Sequence, residues 1–221
     1  MAVLGVDGWR GAWVGALLES RRVTFLILPD VSAVLAVPGV AVVGIDMPIG
    51  LPDDDRRTCD LEARRILGRA GSSVFPAPLR PVLDAPDYAA ACALARAVSG
   101  RALSVQTWNL VPAIKALDDA LGDPPLDSVV EVHPELAFRA LDPRVVDRKA
   151  GARGLAQRVR ALLPEMDVLD GLTCAPAGLP VVDALDACAA AWSAKRVAAG
   201  TAESVGDDTR DRRGRPMRIF R

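Results

Sequence analysis

The sequence predicts an α/β fold: a mixed sheet in which a three-stranded antiparallel meander is extended by parallel strands, with flanking helices and a helical insertion. Three observations carry this expectation. The chain opens with three short apolar runs separated by turn residues, and a fourth, wholly apolar run follows Pro38-Gly39. Proline-punctuated helical patterns then fill the middle of the chain before a further strand pattern and a long final helix.

The first three runs, at 2–6, 12–18 and 23–28, are rich in Val, Leu and Ile and bounded by Gly8, Gly11 and Ser20-Arg21-Arg22, which reads as strands joined by hairpins. Asp30 is placed to cap a short helix reaching about residue 37, and the run at 40–45 suits a buried parallel strand. This order, β-β-β-α-β, opens a ribonuclease H-like fold and several other α/β folds. From about 47 to 127 the pattern is helical, with segments near 56–67, 87–98 and 110–121, and reads as an insertion within one domain spanning 1–221. A strand at 128–132 follows, then helices near 155–163 and 180–199, the last with Pro180 in its first turn and Gly200 at its stop.

At 221 residues and 51% hydrophobic, the chain is long enough to bury a core. Its 28 acidic and 27 basic residues nearly cancel, so no global field draws it to a polyanion, and any such contact is local. Only Lys115, Lys149 and Lys195 among the basic residues are lysines. Cys59, Cys92, Cys174 and Cys188 lack the paired spacing of a zinc site. No basic leader precedes a long apolar stretch and no run approaches the ~20 residues of a membrane span, which predicts a cytoplasmic protein with no membrane partner.

Asp7 and Asp46 stand at the ends of two apolar strands, and if those strands are parallel neighbours both carboxylates emerge at one sheet edge, where α/β folds place ligands. Asp183 and Asp186, three residues apart, interrupt an otherwise apolar helix on one face. Alone, Asp7 is open to a role as a turn residue, Asp46 as a cap and Asp183 as a complement to the helix dipole. Together they differ, because carboxylates about 5 Å apart repel by about 3 kcal/mol at an effective dielectric of 20. Mg²⁺ or Mn²⁺, hard ions that prefer oxygen ligands, are the natural compensating cations.

Several segments resemble one bacterial family. They are Gly5-Val6-Asp7-Gly8-Trp9-Arg10, Ile45-Asp46-Met47-Pro48-Ile49-Gly50-Leu51-Pro52, Ser72-Ser73-Val74-Phe75-Pro76, Gln106-Thr107-Trp108, Glu131-Val132-His133-Pro134-Glu135 and Asp183-Ala184-Leu185-Asp186-Ala187. The family is one of unknown function labelled predicted ribonuclease H-like nuclease, and the final Asp-x-x-Asp-Ala also resembles the last helix of Holliday-junction resolvases. The resemblance implies that Asp7 is the first-strand metal ligand, Asp46 the fourth-strand ligand and Asp183 or Asp186 the final-helix ligands. It implies metal-dependent phosphodiester hydrolysis of nucleic acid, DNA or RNA.

Glu131, inside an apolar strand, is the expected supporting acid beside these four. His133, the only histidine, is open to a structural hydrogen bond or a place at the rim of the site. For substrate contact the candidates are Arg10, Gln106 and Trp108, the last two by hydrogen bonding and stacking. Arg212, Arg213 and Arg215 add a local positive patch near the C-terminus, where 206–214 also reads as a solvated tail and 217–220 as a short edge strand. The helix at 56–67 carries Arg56, Arg57, Arg64 and Arg65, followed by Arg69, either a solvated face or a phosphate clamp. Two other functions remain open: a phosphate-handling ATPase-like protein, and a binding or scaffold protein with the ribonuclease H-like fold and no turnover.

Overall fold

A computed structural model describes residues 1–123 and 126–221; residues 124 and 125, the last prolines of the expected insertion, lie outside the described residues. In chain order the elements are β1 (Ala2–Trp9), β2 (Ala12–Glu19), β3 (Arg22–Leu28), α1 (Val31–Leu35), β4 (Val40–Ile45), α2 (Thr58–Leu67), α3 (Tyr88–Ser99) and α4 (Val105–Ala120). There follow β5 (Val129–Glu131), α5 (Pro134–Leu141), α6 (Ala152–Leu162), α7 (Val168–Thr173), α8 (Val181–Ala198), β6 (Ser204–Val205) and β7 (Ile219–Phe220). They form two compact units, the first of Met1–Met47, Asp127–Ser204 and Phe220–Arg221, the second of Pro48–Leu126 and Val205–Ile219.

The first unit is built on a five-stranded sheet in the order β3-β2-β1-β4-β5. β1, β2 and β3 pair antiparallel, while β4 runs parallel to β1 and β5 parallel to β4. The expected mixed α/β sheet is therefore observed. β1 is longer than the apolar run at 2–6, because its pairing with β2 continues to Trp9↔Ala12 after its pairing with β4 has ended at Val6↔Ile45. The connecting turn puts Arg10 at φ 48° and Gly11 at φ 79°, the two positive values that match the twist of a tight hairpin. Asp30 caps α1 by accepting from the Ala33 N–H at 2.8 Å.

One face of this sheet is covered by α8, which packs chiefly on β1 and β4. The approach is as close as backbones allow. A Cβ on Gly5 would stand 2.0 Å from the Ala191 nitrogen and 2.1 Å from the Ala187 carbonyl oxygen, and one on Gly44 would stand 2.7 Å from the Ala190 oxygen. Gly5 and Gly44 are partners in the β1–β4 register, so together they open one gap in the sheet. The helix fills it with Ala184, Ala187, Ala190, Ala191 and Ala194, all fully buried. Around this seam Val3, Leu18, Phe138, Leu162 and Met166 close the core, each large side chain contributing about 1.5–3 kcal/mol by leaving water. α5 was not expected from the sequence. Its start is signalled by Pro134 at the first position and Glu135 in the first turn, but at eight residues it is shorter than the periodicity needed to distinguish it.

In the second unit α4 begins at Val105, five residues before the expected start at 110, because the Ser104 hydroxyl caps the Thr107 N–H at 3.0 Å. Gln106 and Trp108 therefore lie in the first turns of α4 and not before a helix. The segment 205–219, whose arginines were expected to form a phosphate-contacting patch or to lie in a solvated tail, is folded into this unit by buried ion pairs. Asp118 accepts from Arg80 Nη1 at 2.8 Å, from Arg213 Nη1 at 2.8 Å and from Arg215. Asp211 accepts from Arg80, from the Leu51 N–H at 3.1 Å and from the N–H groups of Arg213 and Arg215 at 2.9 Å each. Arg215 is fully buried, with its other Nη on the Asp118 carbonyl at 2.6 Å and the Gly122 carbonyl at 3.1 Å.

Two substitutions test these seams by urea unfolding. Gly5→Ala forces a methyl group into helix backbone that cannot rotate away, and lowers stability by about 3 kcal/mol or more. Asp118→Ala leaves Arg215 buried without its counterion and Arg80 with Asp211 alone, and costs about 3–5 kcal/mol, whereas Arg212→Ala, at an exposed pair 3.6 Å from Asp53, changes stability by under about 0.5 kcal/mol.

Candidate functional site

Strand residues alternate between faces, and Gly5 and Gly44 mark the face that α8 covers. Asp7 and Asp46 each follow one of these glycines by two positions, and the Asp46 N–H extends the ladder onto the Val6 carbonyl at 2.9 Å. Their carboxylates therefore emerge on the α8 face, at the point where the β1–β4 pairing ends. Asp183 and Asp186 belong to the first two turns of α8. Asp186 is 1% exposed and Asp183 only partly buried. Small residues below let the helix lie low enough for its first turns to bring Asp186 to Asp7 and Asp46.

The electrostatics record this proximity. Burial raises Asp7 from 3.8 to about 9, helped by repulsion from Asp46 and Asp186, opposed by Lys149 and helped again by Asp183. Burial likewise raises Asp46 from 3.8 to about 8, with Asp186 adding to the shift, Lys149 opposing it, and Glu131 and Glu135 contributing. Asp186 is also raised by burial, against the pull of Lys149. The Asp7 side chain has one local partner, the Gly8 N–H at 2.9 Å.

Lys149, in the segment between α5 and α6, is the member of this cluster that sequence reasoning missed. Its Nζ donates to Asp186 Oδ2 at 2.5 Å. Burial disfavours its charge, but Asp186, Asp7 and Asp46 outweigh that and raise its pKa above the lysine value. The other oxygen of Asp186, Oδ1, is buried with no hydrogen-bond partner. Among the described residues no group of three or more His, Cys, Asp or Glu side chains is spaced to hold a metal ion; as the side chains stand, an ammonium lies among the carboxylates.

The other expected site residues are held by other elements and contacts. Glu131 pairs with Ile45 while Val130 pairs with Gly44, so alternation turns Glu131 to the face opposite α8, where it is buried. Its charge acts on Asp46 through the sheet. Glu135 is held by both oxygens on Arg158, at 2.6 and 2.8 Å. The carbonyl of His133 takes the N–H groups of Leu136 and Ala137, both at 3.0 Å, at the start of α5. Arg10 lies in the exposed β1–β2 turn, 5.6 Å over the Trp9 ring. Gln106, Trp108, Arg212, Arg213 and Arg215 belong to the second unit. Of these, Trp108 packs its ring 6.2 Å from Tyr88. Arg215, fully buried on Asp118, is a correction to its expected phosphate contact, while Arg213 pairs with Asp118 through Nη1 alone and keeps its side chain partly exposed.

No helix among the described residues is long and apolar enough to cross a membrane. The family described as "Protein of unknown function (DUF429)" matches residues 5–211 of the chain. No curated protein and no solved structure gives a significant match.

The raised acids predict a pH dependence with a definite sign. Because Asp7 and Asp46 titrate above the ordinary 3.8, the folded state holds protons that the unfolded state has released. The associated stability is fully present below about pH 4 and is lost as pH rises through about 8 and 9. In chelator, the melting temperature of the wild type falls between about pH 6 and about pH 9, and Asp46→Asn flattens that fall. An equally steep fall in the variant would detach the effect from this cluster.

Proposed function

We propose that this chain, which belongs to the DUF429 family of proteins of unknown function, is a ribonuclease H-like phosphodiesterase that acts on nucleic acid with Mg²⁺ or Mn²⁺. The observation that carries the reading is the gathering of Asp7, Asp46 and Asp186 between the sheet and α8, with raised pKa values that Lys149 and, at Asp186, Arg158 only partly oppose. A protein gains no stability from such a gathering; buried like charges are kept where a site needs them. The strand order β3-β2-β1-β4-β5, with acids on the two central parallel strands and on the covering helix, is the arrangement in which a ribonuclease H-like site is built.

The donors are of the chemical kind the ion takes, although as the side chains stand they are not spaced around one. Carboxylate oxygens are the hard ligands that Mg²⁺ and Mn²⁺ prefer, and Asp186 Oδ1 is a buried acceptor awaiting a partner. Asp7, Asp46 and Asp186 would hold the ion, with Asp183 at the margin. Bound there, it would supply charge neutralisation at a phosphodiester and activation of water. The chain's own contribution is to hold the carboxylates together against their repulsion and to keep protons on Asp7 and Asp46 until a cation replaces them. Lys149 neutralises Asp186 meanwhile and competes with the ion for it. A second reading, a non-catalytic binding or scaffold protein, draws on the same Lys149–Asp186 pair, which already neutralises one acid; an ATPase-like role has no observation of its own here.

The test is calorimetric titration of Mn²⁺ in two buffers of different ionisation enthalpy near pH 7, with cleavage of single-stranded, duplex, hybrid and branched nucleic acids measured in parallel. Binding with proton release, lost in Asp7→Asn and tightened in Lys149→Met, together with cleavage abolished by Asp7→Asn, is the expected result. Binding with no cleavage of any substrate favours the scaffold reading, and no binding at millimolar Mn²⁺ removes the metal from the proposal.

A further inference from the structure

Two segments singled out in the sequence, Ser72–Pro76 and Gln106–Thr107, meet in the second unit at a cavity of about 360 Å³. The cavity lies wholly within that unit and shares no residue with the acid cluster. Its charge is unbalanced. Arg56, Arg64 and Arg101 line it against one carboxylate, Asp55, which already accepts from Arg101 Nη1 at 3.1 Å and from the Arg56 N–H at 2.7 Å. Arg64 uses one Nη on the Val74 carbonyl at 2.8 Å, which fixes the guanidinium and leaves its other donors for a ligand. Among the described residues neither the Arg56 guanidinium nor the Gln106 amide has a hydrogen-bond or ion-pair partner, and both residues are exposed. Guanidinium groups converging on a hollow with one occupied counterion are arranged for an anion of more than one charge.

The rest of the lining states what the anion is attached to. Phe75, 42% exposed, stands with Leu79 and Leu103 as apolar wall. A phenyl ring left open to water beside arginines is a stacking surface for a planar group. Gln106 offers both a donor and an acceptor to a heterocycle's edge. The volume falls within the range of small-molecule sites, about 300–1,000 Å³. From this combination we infer that the cavity of the second unit binds a nucleoside monophosphate, with the phosphate on Arg56, Arg64 and Arg101 and the base against Phe75 and Gln106.

The inference does not depend on the metal-site reading, and its test leaves that site untouched. The full chain in chelator is titrated by calorimetry with adenosine 5′-monophosphate, inorganic phosphate and adenosine as separate probes. The monophosphate binds at least about tenfold more tightly than phosphate or adenosine alone, and added salt weakens it. Arg56→Ala and Arg101→Ala, both at exposed side chains, each weaken binding about tenfold with the melting temperature unchanged. Phe75→Leu brings the monophosphate toward the affinity of phosphate alone. Binding no tighter than that of inorganic phosphate, unchanged binding in both arginine variants, or no binding by a folded chain overturns the proposal.

Discussion

The backbone of α8 rests directly on β1 and β4 through the gap left by Gly5 and Gly44, and the rest of the first unit follows from that contact. With any side chain at those two positions the helix would have to rise from the sheet. The alanines that fill the seam are the counterpart on the helix: a face of small side chains is what two backbones need in order to approach closely. The consequence reaches beyond packing. Residues Asp183 and Asp186 are carried by the same helix, and Asp7 and Asp46 lie two positions along from the two glycines. The distance between helix and sheet therefore sets the distance between the acids. A seam built for stability positions a cluster that opposes it.

That opposition is moderated in two ways. Protons are retained on Asp7 and Asp46, whose pKa values lie far above the ordinary carboxylate range, and one ammonium, Lys149, is set against Asp186. The lysine is half exposed while its partner is buried, so it reaches in from the surface and loses less hydration than a fully buried cation would. A guanidinium would offer a broad fork of donors where one oxygen is being met; an ammonium is a compact charge on a flexible stem. This is a physical reason for lysine in a chain whose basic residues are otherwise mostly arginine.

Much of this was legible in the sequence. Asp7 and Asp46 stand out because each ends an apolar run, and Asp183 and Asp186 because they interrupt an apolar helix; the condition that β1 and β4 be parallel neighbours is met in the structure. What escaped has identifiable causes. The rarity of lysine was visible, but nothing in the segment around residue 149 marks it as facing Asp186, since it lies in a loop without periodicity. Glu131 was grouped with the other acids because it lies in a strand; the register that turns it to the opposite face is set by pairing with Ile45 and is not written in its own segment. Arg213 and Arg215 appeared free because their partners, Asp118 and Asp211, are separated from them either by nearly a hundred residues or by a tight turn. Composition reveals how many charges a segment has. It does not reveal which of them are already taken.

The break between β4 and β5 shows why the middle of the chain reads as an insertion while its content does not. Parallel neighbours require a crossover connection of a dozen or more residues, and beyond that minimum the closure entropy rises only slowly with length. The sheet therefore constrains the connection at its ends alone: the Asp46 N–H on Val6 at one side, and the Val43 N–H on the Ser128 carbonyl at the other. Between these points the chain builds most of a compact unit with its own cationic cavity, and the segment 205–219 completes it by bringing Asp211, Arg213 and Arg215 to the buried ion network. The composition of that unit answers to its own packing, which explains why buried arginines gather there and alanines gather under α8. Because the sheet fixes the connection only at its two ends, residues within it can change without disturbing the register that holds Asp7 beside Asp46, and the arginine-lined cavity accordingly shares no residue with the acid cluster.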